Sequence, residues 1–181
     1  MKLAESGTPT KSTLYSTIEN KTDRDDNVIY LFDWGNTLMV DFPHAQGKMC
    51  EWEHVEAVPQ ATETLAALSQ KHQIYIATSA SDSGMEDVQR AFMRVGLDQY
   101  ISGYFCFANI GIEKNRAEFY RAVAKKLGVR ENELTMIGDL PNKDIYPAME
   151  AGLNVIWFNA AGEPAPGNPI CQQIRCLSEL V

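Results

Sequence analysis

The stretch LFDWGNTLMVD, residues 31–41, decides how this chain is read. It opens apolar, delivers Asp33 into a Gly-Asn-Thr loop and reaches a second carboxylate at Asp41. With the residues before it, it makes NVIYLFD (27–33), the first of five short and nearly continuously apolar runs. The others are QIYIATS (73–79), GYFCF (103–107), ELTMIGD (133–139) and NVIWFN (154–159). Apolar runs of this length without alternation are the mark of strands buried on both faces. Helical patterns lie between them. PQATETLAALSQKH has Pro59 at a helix start and Ala61, Leu65 and Leu68 on one stripe. NRAEFYRAVAKKLGV lines up Phe119, Val123 and Leu127 and closes on Gly128 as a C-cap. SGMEDVQRAFMRVGL and DIYPAMEAGL complete the set. Strands alternating with helices predict an α/β fold, a central parallel sheet of about five strands with helices on both faces. After a Pro/Gly loop, AAGEPAPGNPI (160–170), CQQIRCLSEL reads as a last short helix.

With 181 residues the chain is long enough for one domain with a full core. The opening residues, 1–26, are polar and read as a flexible tail, leaving 27–181 as the domain. A net charge of −8 excludes a broad basic footprint, so no nucleic-acid partner is expected. An acidic protein that handles an anion needs local help from a metal ion or a placed lysine. No stretch reaches the roughly 18 apolar residues of a membrane helix, and no membrane association is expected. Cys50, Cys106, Cys171 and Cys176 show no Cys-x-x-Cys spacing, and the N-terminus has no apolar signal core. The expected location is the cytoplasm.

In a parallel sheet of this kind the chemistry sits beyond the C-terminal ends of the strands. The sequence sends Asp33, then Thr78 and Ser79, then Asp139 to that rim, and Lys114 starts the helix after the third strand. An aspartate at a strand tip can act as a nucleophile and form an acyl-phosphate. Asp33, Asp139 and Asp144 can supply the hard oxygen ligands that Mg²⁺ prefers. The Thr78 hydroxyl can donate to a phosphoryl oxygen, and Lys114 can offset the charge gathering there.

These segments resemble the motifs of the haloacid-dehalogenase superfamily of hydrolases over about residues 27–181. DWGNTL stands where that family has D-x-D-G-T-L, and IYIATS where it has an apolar strand ending in Ser or Thr. EKNRAEFYRAV is similar to its lysine-bearing motif, and MIGDLPNKDIYPAMEAGL to its G-D-x₄-D motif, the most specific of the four. The resemblance implies a three-layer Rossmann-like core and a Mg²⁺-dependent phosphatase working through an aspartyl-phosphate. It implies Asp33 as nucleophile, Thr78 and Ser79 at the phosphate, and Lys114 as charge stabiliser. It also implies a metal held by Asp33, Asp139 and the Gly35 carbonyl, with Asp144 ligating or orienting nearby.

Two positions depart from the family pattern. Asn115 replaces a proline that often follows the lysine. Gly35 stands where the family's phosphatases carry a second aspartate, the general acid and base, a group typically worth about 10² to 10⁴ in rate. One reason for a glycine there is a turn that needs positive φ. Without the acid, aryl and acyl phosphates are expected to outrun alkyl phosphates, unless Asp41 or His44 supplies the proton. The same gap supports a second reading, a degenerate relative that binds a phosphorylated ligand or protein partner with little turnover. A third reading is cleavage of a carbon–phosphorus or carbon–halogen bond, since DWGNT is similar to the opening of phosphonoacetaldehyde hydrolases. The intervals between motifs leave no room for a large cap domain, only for a small flap at 41–57. Such an open site takes a small or macromolecular phosphorylated substrate, or is closed by a second copy in a homo-oligomer.

Overall fold

A computed structural model describes residues 28–164 and 171–181. The expected tail at 1–26 and residues 165–170 of the Pro/Gly loop lie outside the described residues. Among the described residues the sheet has six parallel strands, the five expected runs and one more: β1 (Ile29–Phe32), β2 (Gln73–Ala77), β3 (Gly103–Phe105), β4 (Leu134–Gly138), β5 (Asn154–Phe158) and β6 (Gln172–Ile174), in the order β3-β2-β1-β4-β5-β6. The extra strand comes from CQQI, which the sequence pattern assigned to a helix. Only Ile174 of β6 is buried, and it pairs with Phe158 at the sheet's edge. The segment after it, Leu177–Leu180, is a 3-10 turn rather than an α-helix.

Among the described residues five α-helices flank the sheet: α1 (Ala61–Leu68), α2 (Met85–Arg94), α3 (Phe107–Ile110), α4 (Ala117–Leu127) and α5 (Tyr146–Ala151). The expected stripes are the buried ones. Ala61, Leu65 and Leu68 of α1 pack with Val88 and Phe92 of α2 against Phe32, Ile74 and Ile137 on one face. Phe119 and Val123 of α4 pack with Ala148 of α5 against Leu31 and Met136 on the other. The strand residues thus alternate between two cores, which is why their runs lack polar positions. Gly128 closes α4 in the left-handed conformation, φ 71°.

The register sets the site. Phe32 lies level with Ile76 of β2 and Ile137 of β4, so β2 and β4 each run one residue further than β1 and all three end at the same rim. Asp33, Thr78 and Asp139 therefore emerge side by side. Residues 41–57, read from the sequence as a small flap, are loop apart from a 3-10 turn at Met49–Glu51, and no large cap is evident among the described residues. Nor is any helix among them long and apolar enough to cross a membrane.

Candidate active site

Asp33 is fixed by its backbone, whose N–H donates to Ile137 O at 2.8 Å as a continuation of the β1–β4 ladder. The loop that follows turns back at once: Asn36 N–H donates to Met39 O at 2.7 Å, and Leu38 and Met39 N–H to Trp34 O at 3.0 Å. The residue that carries the positive φ of this turn is Asn36, at 57°, and Gly35 is not in that region. The backbone reason expected for the glycine therefore does not hold. Thr37 is buried under the turn, and its hydroxyl reaches Asp33 Oδ2 at 3.3 Å and Asp139 Oδ1 at 3.4 Å.

Lys114 does not start α4; it lies in the loop before it, and its side chain is wholly buried. Its ammonium pairs with Asp33 Oδ1 and, at 2.8 Å, with Asp144 Oδ1 outside hydrogen-bond geometry. Burial works against the charged lysine, but the carboxylates of Asp144 and Asp33 outweigh it and hold its pKa above the usual value. Asp144 is 1 % exposed, inside a π-helical turn at Pro141–Ile145. Leu140 N–H donates to its Oδ2 at 2.9 Å. A β-carbon on Gly138 would lie 2.6 Å from Asp144 Cβ, so Asp144 occupies the space that only glycine leaves open. Tyr120, buried under the turn, donates its hydroxyl to Lys143 O at 2.7 Å. Trp157 Nε1 donates to Asp139 O at 3.0 Å.

One ligand oxygen from each of Asp33, Asp139 and Asp144 lies within 4.8 Å of the other two. Burial, then the charges of Asp33 and Asp144, push Asp139 up to about 7. Burial and Asp33 raise Asp144 to about 6 against the pull of Lys114. Three carboxylates share one lysine, so the cluster has room for more positive charge. An all-oxygen donor set with two uncompensated charges fits a hard divalent cation such as Mg²⁺.

Asp33, Gly35, Thr78, Ser79 and Asp139 line one hollow of about 420 Å³, with Trp34, Trp52 and Asp41 on its flap side. Lys114 faces an adjoining hollow of about 340 Å³ that shares Thr78, Ser79 and Lys143 with the first. Thr78 is buried; its N–H donates to Phe105 O at 2.9 Å and its Oγ1 accepts from Ala80 N–H at 3.0 Å. Its hydroxyl hydrogen has no acceptor among the described residues. The structure thus places Asp33, Gly35, Thr78, Ser79, Lys114 and Asp139 on the two adjoining hollows and Asp144 in the carboxylate cluster, whereas His44 does not line the hollow of Asp33. The sequence reading missed Gly138, whose signal is its place just before Asp139, and Lys143, one residue before Asp144. Nor did it give Trp34 or Trp52 a place at the site. Trp34 is buried and donates to Met39 Sδ at 3.2 Å, yet both rings also border the hollow.

Residues 13–152 match the family model of haloacid dehalogenase-like hydrolases. The chain belongs to that family. It is 28% identical to a phosphoserine phosphatase of Thermus thermophilus over 107 residues, 59% of this chain and 43% of the relative. It is 25% identical to a glyceraldehyde 3-phosphate phosphatase of Pyrococcus furiosus over 108 residues, 60% of this chain and 44% of the relative. The chain thus spans less than half the length of the curated relatives it matches. The magnesium-bound YfnB protein of Bacillus subtilis shares the fold, with a TM-score of 0.69 at 16% identity over 85% of this chain and 96% of that one. As a member of this family the chain has an α/β fold and phosphatase homologues.

Proposed function

We propose that this protein is a capless, Mg²⁺-dependent phosphatase that forms an aspartyl-phosphate on Asp33. The observation that carries the reading is the setting of Asp33. It stands at a strand tip, paired with a buried lysine, on the wall of a polar hollow beside a three-carboxylate cluster. The phosphatase relatives support the same reading. Asp33, Asp139 and Asp144, with the Gly35 carbonyl, are the residues that would hold the Mg²⁺, which supplies charge neutralisation at the phosphoryl oxygens.

The protein groups divide the remaining work. Lys114 and Thr37 fix the two oxygens of the Asp33 carboxylate, so the nucleophile is oriented before substrate arrives. Thr78, with its hydroxyl hydrogen unspent, donates to a phosphoryl oxygen, and Ser79 lines the same wall. An Asp33 carboxylate oxygen attacks phosphorus, the bond to the leaving oxygen breaks, and water then hydrolyses the acyl-phosphate. The substrate is a phosphorylated compound that the small flap leaves free to extend beyond the hollow.

A phosphatase panel run with and without Mg²⁺ tests the proposal. Turnover of phosphate esters only with Mg²⁺, abolished by Asp33→Asn in a folded protein, is the expected result. Gly35 favours one second reading, a binding protein with little turnover. Tight phosphate-ester binding with no turnover in any assay would select it.

A further inference from the structure

Gly35 has no side chain, but the space beside its α-carbon is occupied. A β-carbon there would sit 3.6 Å from both Cβ and Oδ2 of Asp41 and 3.9 Å from its Cγ. The flap therefore points a carboxylate at the place where a residue 35 side chain would begin. The turn holds it there. Asp41 N–H donates to Asn36 Oδ1 at 3.0 Å, and Val40 N–H before it donates to Glu56 O at 2.9 Å. Asp41 lines the same hollow as Asp33, and His44 does not. Among the described residues the Asp41 carboxylate has no hydrogen-bond or ion-pair partner, and it is open to solvent. The other acidic flank of the hollow, Asp82, already accepts from Ser83 Oγ at 3.0 Å. Lys114 is sealed between two carboxylates. Of these groups, Asp41 alone is unpaired, open to solvent and adjacent to Gly35.

We propose that Asp41 is the general acid and base of this site, carried on the flap instead of at position 35. This rests on the reading of Asp33 as the phosphorylated nucleophile. In the first step an Asp33 oxygen bonds to phosphorus and the phosphorus–oxygen bond of the ester breaks. The proton on Asp41 passes to the departing oxygen, which leaves as an alcohol. In the second step the Asp41 carboxylate takes a proton from water as the water oxygen bonds to phosphorus. The phosphorus–oxygen bond to Asp33 breaks, and inorganic phosphate leaves with both aspartates restored.

The test compares native protein, Asp41→Asn, and Asp41→Asn combined with Gly35→Asp, all with Mg²⁺. The probes are glycerol 2-phosphate, whose leaving group needs a proton, and p-nitrophenyl phosphate, whose leaving group does not. Asp41→Asn is expected to lower kcat/KM on the alkyl ester by about 10² or more and on the aryl ester far less. Phosphoenzyme should accumulate from labelled p-nitrophenyl phosphate, because the second step lacks its base. Gly35→Asp should restore alkyl turnover in the Asp41→Asn background, since a side chain there meets nothing closer than ordinary contact. Unchanged melting of Asp41→Asn would confirm an intact fold. An equal loss on both esters without phosphoenzyme, or no loss on either, overturns the role of Asp41 and leaves the phosphatase reading standing. Native protein inert on both esters overturns the two together.

Discussion

Asp144 and Asp87 have nearly the same partners and opposite behaviour. Asp144 accepts a backbone N–H from Leu140 at 2.9 Å and faces Lys114 at 2.8 Å. Asp87, near the start of α2, accepts the Gly84 N–H at 3.1 Å and Lys48 at 2.7 Å, with Arg90 added at 2.6 Å. Yet Asp144 is pushed up to about 6, whereas its hydrogen bonds to Lys48 and Arg90 hold Asp87 well below the usual carboxylate range. The difference is the balance of burial and charge. Burial taxes the charge of Asp144, which shares one lysine with a second carboxylate and lies near a third, whereas Asp87, its side chain 15 % exposed, has two cations to itself. The same motif of lysine, aspartate and amide thus builds a crowded acidic centre in one place and a clasp near the surface in the other. The clasp holds the flap: Lys48 reaches α2 through Asp87, and Arg94 of α2 donates to the carbonyls of Cys50, Trp52 and Glu53.

The contrast is broken most severely by removing the buried cation. Lys114→Met leaves two buried carboxylates, Asp33 and Asp144, and the half-buried Asp139 without compensation and is expected to cost about 3–5 kcal/mol of stability, measured by urea unfolding. The loss should be larger at pH 8 than at pH 5, where protons take over the lysine's task. A second experiment supplies charge instead of removing it. Mg²⁺ that binds only the folded state should stabilise it by about 2.7 kcal/mol at a hundredfold excess over Kd, and Asp139→Asn should weaken that effect. Calorimetry showing no Mg²⁺ binding at millimolar levels in native protein would remove the proposed metal site. Third, Gly138→Ala forces Asp144 out of its place, and overpacking of this kind costs about 1–3 kcal/mol. It should weaken Mg²⁺ binding as well, which separates a displaced ligand from a merely strained strand. The smallest effect belongs to the clasp. Because the folded state depresses Asp87, its contribution is present above the ordinary aspartate value and fades as the pH falls through the depressed one. Asp87→Asn should hardly move the melting temperature but should speed hydrogen exchange at Met49–Glu51, as should high salt.

Most of the fold was legible because five strands are buried on both faces and four helices carry clean apolar stripes. β6 was not, since Gln172 and Gln173 are exposed and one buried Ile174 makes no pattern. The candidate site was legible as a set of strand-tip residues, Asp33, Thr78 and Asp139, because a parallel sheet sends strand ends to one rim. Spacing could not say that Lys114 would be wholly buried, or that Asp144 would share it with Asp33. Those facts depend on the depth of the loop before α4 and on the π-helical turn. Nor could it say that Asn36, not Gly35, would take the positive φ. That follows from the hydrogen bonds that close the turn between Trp34 and Met39.

The strand order carries a consequence for how the chain folds. β1 pairs with β2, but it also pairs with β4, Ile29 opposite Leu134, across most of the domain. Contacts so distant in sequence form late and slowly, because the loop must close before they repay it. Asp33 meets Asp139 only when that pairing forms, and Asp144 arrives on the turn just after β4. Docking β4 beside β1 therefore brings like charges together while stripping their water. Refolding should be fastest when a divalent cation or mild acidity is present to meet them.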